Sequence, residues 1–154
     1  EFKKKEALEV SKLVEKTVLV LPKETYGPYL AEYCSNNTPK ALKDFLPKGI
    51  ILVAVEGEIV VETVRLDFQK QKIFGMFVDP SFQGKGVGKK LLVAIEKRAR
   101  QNGFKQVGLS STIPAVRFYE KNGFQCINKN QVFGSITVSG PVVEMKKTLF
   151  STKN

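Results

Sequence analysis

Ala7, Val10, Leu13, Val14 and Thr17 recur three or four positions apart between Glu6 and Val18, which predicts a first amphipathic helix. Leu30 to Phe45 reads as a second helical region, broken near Asn36-Asn37-Thr38-Pro39. The pattern then changes period. Ile50 to Val55 and Ile59 to Leu66 are β-branched runs joined by Glu56-Gly57-Glu58, the pattern of a β-hairpin with a tight turn. A further strand, KIFGMFV, should stop at Asp79-Pro80, because proline cannot donate to a ladder. Leu91, Leu92, Ile95 and Ala99 then form one helical stripe, with Lys90, Glu96, Lys97 and Arg100 expected off it and Asn102-Gly103 as the stop. The strand KQVGLSS and a short helix around Ala115 to Lys121 follow. Thr112 is placed to cap that helix, Pro114 to fit its first turn and Asn122-Gly123 to end it. FQCI and VVEMKKTL complete the strands. Strand, helix, strand, helix in the second half predicts a parallel pair inside a mixed sheet fed by antiparallel hairpins. No repeat or linker divides residues 1–154, so one domain is expected.

Between the third strand and the long helix lies QGKGVGKK, with Gly84, Gly86 and Gly88 at alternating positions. Strand, glycine-rich turn and helix start make an anion site. Glycines let the backbone approach a phosphate, and the unpaired amides of the helix start point at it. Two better-known phosphate loops fail on spacing. A P-loop needs glycine where Gln83 stands and Ser or Thr where Lys90 stands, and a dinucleotide loop needs glycine at Lys89.

Composition narrows the chemistry. With no histidine in the chain, His-containing zinc sites and His-based triads are excluded. Cys34 and Cys126 have no metal-ligand spacing and read as free thiols of a reducing cytoplasm. No apolar run approaches a spanning length and no export signal is evident, so a cytoplasmic location is expected, with neither membrane nor metal. The formal charge is +10, but the basic residues are dispersed and not interleaved with aromatics. That favours a solvated basic surface, useful for attracting an anionic cosubstrate, over a nucleic-acid partner.

FVDPSFQGKGVGKKLLVAIEKRARQNGF resembles the coenzyme A loop of the GNAT superfamily of N-acetyltransferases. Its signature, Arg/Gln-x-x-Gly-x-Gly/Ala, is met by Gln83, Gly86 and Gly88. LSSTIPAVRFYEKNGF is similar to the family's next block, met by Ala115, Phe118, Tyr119, Glu120, Lys121, Gly123 and Phe124. The resemblance runs from about Ile50 to Leu149 and is weak over the first forty-odd residues, where the family varies with acceptor. It implies an α+β fold: a mixed, mostly antiparallel sheet, a V-shaped splay between two parallel central strands, and flanking helices.

The resemblance also implies roles. Met76, Phe77 and Val78 would lend backbone groups to the pantetheine arm, and a backbone N–H near Phe77-Val78 would meet the oxyanion of transfer. The amides of Gln83, Gly84, Lys85, Gly86, Val87, Gly88 and Lys89 would take the pyrophosphate, with Ser111, Ala115, Phe118 and Tyr119 also on the cofactor. The Lys85 and Lys89 side chains either reach phosphate or stay in water. Tyr119 is the expected general acid. A phenol near pKa 10 lies within about two units of a thiol near 8.5, so it can protonate a departing thiolate. The alternative for Tyr119 is a core aromatic.

Many relatives carry a glutamate where this chain has Lys72. An amine acceptor, protonated at neutral pH, must lose a proton before attack. Glu62 is the candidate base, directly or through water, although an outward-facing position on a half-exposed strand is the favoured reading. Thr112 stands where many relatives have asparagine. Tyr26, Tyr29, Tyr33 and Phe45 either wall the acceptor site or pack helices. The expected function is acetyl transfer from acetyl-CoA to a primary amine of a small molecule or protein, directly in a ternary complex. The alternative is a CoA-binding module without transfer. A homodimer is left open, and a basic surface argues against polycationic acceptors.

Overall fold

A computed structural model describes residues 1–27, 30–127, 133–134 and 141–150. Tyr29, one of the expected acceptor-site aromatics, lies outside the described residues. The fold is mixed α+β. Helix α1 (Ala7–Val18) forms as its periodicity requires, burying Ala7, Val10, Leu13, Val14 and Val18. A short helix α2 (Lys23–Tyr26) follows, then α3 (Leu30–Ser35) and α4 (Pro39–Phe45), divided where the sequence breaks. Thr38 caps α4 by accepting from the Ala41 amide at 3.2 Å, with Pro39 in the first turn.

Strands β1 (Gly49–Glu56) and β2 (Ile59–Asp67) form the hairpin, turning at Gly57 with φ +61°. β3 (Lys72–Val78) pairs antiparallel with β2 and ends at Asp79-Pro80. The Asp79 side chain accepts from the Ser81 amide, opening a 3₁₀ turn over Pro80–Phe82. After the glycine loop come α5 (Val87–Gln101), β4 (Gln106–Thr112), a 3₁₀ turn over Ile113–Ala115, α6 (Val116–Lys121), β5 (Gln125–Cys126), β6 (Phe133–Gly134) and β7 (Pro141–Thr148). The sheet order is β1-β2-β3-β4-β7-β5, with β6 also on β7, and β3 with β4 is its parallel pair.

Two cores lie on opposite faces of this sheet. One gathers Val64, Leu66, Leu92, Ile95, Leu109, Tyr119 and Met145 under α5 and α6. The other gathers Val10, Val14, Tyr26, Tyr33, Leu42 and Phe45 around α1, α3 and α4. Because α1 and α5 both pack on β2, that strand is buried from Val60 to Asp67 on both sides.

Three expectations need correction. Glu96 is not on the solvent side of α5: it is 3% exposed, and Lys147 of β7 donates to both its carboxylate oxygens at 2.8 and 2.9 Å. Thr112 occupies the cap position, but its hydroxyl makes no capping bond. Glu62 does not face outward: it is fully buried. β6, two residues long, carries no sequence signal and was not expected.

Candidate functional site

The sheet opens at its centre. β3 and β4 register at Lys72↔Gly108, where the Gly108 amide donates to the Gln71 carbonyl, and no further registered pair of these strands is present among the described residues. Beside this point β3 bulges. Arg65 faces Phe74 and Thr63 faces Phe77, so Gly75 and Met76 stand against Val64 alone. Gly75 takes φ +60°, a conformation that favours glycine. A cleft of about 520 Å³ opens between the strands and the α3–α4 segment, within the range of small-ligand sites. Of the expected site residues it brings together Met76, Phe77, Ser111, Ala115 and Tyr119. Val78 and Phe118 lie outside its lining.

At one end of β3 the glycine loop carries its expected geometry. Gly84 and Gly86 adopt φ +76° and +78°, while a Cβ at either would meet nothing, so backbone angle and not crowding calls for glycine. Gly86 is the N-cap of α5 and has no side chain to satisfy the amides of Val87, Gly88 and Lys89, which precede the intrahelical ladder. Those donors and the helix dipole remain for an anion. Gln83 donates through Nε2 to the Val78 carbonyl at 3.4 Å. Lys85 and Lys89 are exposed, with Lys85 over the Phe82 ring. Gly88 differs from the other two glycines. Its φ is ordinary, and a Cβ there would touch Phe118 Cζ, Glu62 Oε1 and Met76 Cε at 3.4, 3.5 and 3.6 Å. Loop and cleft therefore meet at Met76.

Tyr119 projects from α6 into this junction. Its hydroxyl contacts Met76 Sδ at 3.5 Å, and its ring packs edge-on against Phe118 and Phe124. Burial, and secondarily the nearby Glu62 carboxyl, push the phenol well above its ordinary pKa, so it stays protonated but lies further from a thiol near 8.5 than the free phenol does. Both carboxyl oxygens of Glu62 are buried without a hydrogen-bond partner among the described residues, and burial raises its pKa to about 8. Phe118 turns instead toward Gly88. Ser111, 1% exposed, donates its hydroxyl to the Thr112 carbonyl.

Lys72 holds an ion pair. Its Nζ meets Glu144 Oε2 of β7 at 2.8 Å and Ser110 Oγ at 3.3 Å, and Ser110 also donates to Glu144. The sequence reading missed Glu144; its alternation within VVEMKKTL was the available signal. It also missed Arg65, buried beneath the cleft between Phe45 and Phe74. Tyr33 and Phe45 do line the cleft. Tyr26 does not: it is a core residue whose hydroxyl accepts from the Ile113 amide. Among the described residues no helix is long and apolar enough to cross a membrane, and no cluster of metal-ligating side chains is present.

Comparison with known proteins agrees with this architecture. The family model described as "Acetyltransferase (GNAT) domain" matches residues 24–149. A GCN5-related N-acetyltransferase from Rhodopseudomonas palustris superposes with a TM-score of 0.80 at 17% identity, covering 96% of this chain and 92% of that one. The PaiA N-acetyltransferase from Thermoplasma acidophilum, in complex with coenzyme A, superposes at 0.74 with 18% identity, covering 96% and 95%. Among curated sequences, a tRNA(Met) cytidine acetyltransferase of Thermococcus sp. strain AM4 is 29% identical over 125 residues. That match takes in 75% of this chain but spans only 15% of the relative's length.

Proposed function

This chain belongs to the GNAT acetyltransferases, and from that premise we propose that it moves an acetyl group from acetyl-CoA to a primary amine by direct transfer within a ternary complex. The observation that carries the reading is the junction at Met76, where the unfilled amides of the α5 start adjoin a cleft that receives the Tyr119 hydroxyl. These residues fit coenzyme A, an anionic diphosphate on a long thin arm. The amides from Gln83 to Lys89 hold the pyrophosphate, and the splayed edge at Met76, Phe77 and Val78, with Ser111, Ala115 and Phe118, aligns the arm. Bound there, acetyl-CoA supplies an activated acyl group.

The protein's own work is positioning and proton movement. Tyr119 gives a proton to the departing sulfur, in a site that keeps the phenol un-ionised. Glu62, buried beneath Gly88 with both oxygens unpaired among the described residues, accepts the proton released by the amine, relayed by water. A backbone amide at the β3 bulge stabilises the oxyanion. An acyl-cysteine route is disfavoured: burial pushes the Cys34 thiol above its ordinary pKa, so it is a poor nucleophile.

One observation favours a second reading, a CoA-binding module without turnover: Lys72, where relatives carry a glutamate, is neutralised by Glu144. Thiol release from acetyl-CoA across a panel of amines separates the two. The panel includes tRNA, because the curated relative modifies a tRNA cytidine. Transfer should be detected with at least one small amine, and Tyr119→Phe should lower kcat by about 10- to 100-fold with unchanged acetyl-CoA affinity. CoA binding with no release for any acceptor would leave the module reading. Wild-type turnover in Tyr119→Phe would remove the proton-donor role.

A further inference from the structure

The acceptor side of the cleft holds a charge that no described acid balances. Arg65 is 5% exposed, yet no described Asp or Glu lies within ion-pair distance of it. A buried, uncompensated guanidinium is costly, and burial lowers the Arg65 pKa to about 10. Among the described residues only neutral groups answer it. Asn36 O accepts at 3.3 Å, Asn37 Oδ1 at 2.8 Å, and the Phe74 and Phe45 rings lie 4.6 and 5.6 Å from the guanidinium carbon. Of five N–H donors, those two bonds leave the others for something else.

Gly75 packs its backbone against the same cation. A Cβ at Gly75 would sit 2.6 Å from both Nε and Nη2 of Arg65, so only glycine fits against that edge. A second polar group stands in the same cleft: the Tyr33 hydroxyl, on a residue 5% exposed, has no hydrogen-bond partner among the described residues. A buried hydroxyl left unpaired costs free energy unless a ligand completes it. The acids in the cleft are engaged elsewhere: Asp44 pairs with Lys40, and Asp67 accepts from the Lys70 amide.

We propose that Arg65 and the Tyr33 hydroxyl form a carboxylate-binding subsite, so that the acceptor is an amine that itself carries a carboxylate. This rests on the acetyl-transfer reading of the same cleft. A carboxylate suits the site better than a phosphate, because Asp44 and Asp67 also line it and would repel a dianion more strongly.

The test compares ω-amino acids of two to five carbons with their amides, and with phosphoethanolamine, by calorimetry and by thiol release from acetyl-CoA. The acids should bind about 10- to 100-fold tighter than the amides. Tyr33→Phe, which removes one oxygen and leaves the packing, should weaken acids several-fold and amides not at all. Arg65→Met should abolish the acid preference, and Arg65→Lys should restore part of it. Equal binding of acids and amides, failure of every acid to bind, or preference for phosphoethanolamine would each overturn the subsite. Equal thiol release with acids and amides would remove the subsite but leave acetyl transfer standing. Acid-selective binding without any thiol release would do the reverse.

Discussion

Glu62 is a buried carboxyl with no hydrogen-bond partner among the described residues. β2 is covered by α1 on one face and α5 on the other, and the start of α5 passes directly over the Glu62 side chain at Gly88. Burial without a partner disfavours the charged form, which is why its pKa rises to about 8. An unfolded chain would ionise the same group near 4.3. Below that pH both states carry the proton and Glu62 adds no pH-dependent cost. As pH rises from there toward 8, the unfolded state releases a proton the folded state keeps, so stability falls across this window and levels above it. Glu62→Gln should flatten the fall in denaturant midpoint between pH 5 and pH 8. If Glu62 accepts the acceptor's proton, kcat/KM of the wild type should climb to a plateau above about pH 8. The glutamine variant should lose that limb. A variant keeping both profiles would show Glu62 to be neither buried nor a base. The sequence left Glu62 between two readings because IVVETVRL alternates poorly. Only packing on both faces of β2 distinguishes a sheltered carboxyl from an exposed one.

The loop and α5 show glycine used in two ways. Gly84 and Gly86 hold left-handed backbone, where an L-residue costs about 1–2 kcal/mol. Gly88 has helical geometry, and a Cβ there would make ordinary contacts with Phe118, Glu62 and Met76. Gly88→Ala should therefore keep the folding stability or raise it by up to about 1 kcal/mol, as alanine does in helices. The added methyl occupies the space between the helix start and the junction, so the same variant should bind CoA about tenfold or more weakly. An alanine variant with native CoA affinity would show that Gly88 serves only the helix. The loop was legible from glycine spacing because backbone angle and helix start are local properties. Glu96 was not. Its place on the helical wheel is polar, and only β7, 51 residues away, supplies the Lys147 that draws it inward.

At the scale of the molecule, 25 basic residues against 15 acidic ones give a field that attracts an anionic cosubstrate. Lys85, Lys89 and Lys90 are exposed around the loop, where this field acts at longest range. Raising ionic strength from about 0.05 to 0.5 M should raise the KM for acetyl-CoA roughly three- to tenfold and leave kcat nearly unchanged, as screening shortens the field to a few ångströms. A salt-independent KM would confine recognition to the loop amides. Most of the order of helices and strands, the parallel pair and the glycine turn ahead of α5 could be read from the chain. Each follows from hydrophobic period, proline and glycine chemistry, or a short motif, and these act between near neighbours. Which side chains face one another across the cleft could not. Arg65 meets Gly75 in a cleft that Tyr33 also lines, and Glu62 comes to lie beneath Gly88, only because the β3 bulge opens the sheet and helices on both faces close over it. Such long-range packing has no period of its own, so the tertiary structure alone decided what the cleft presents to an acceptor.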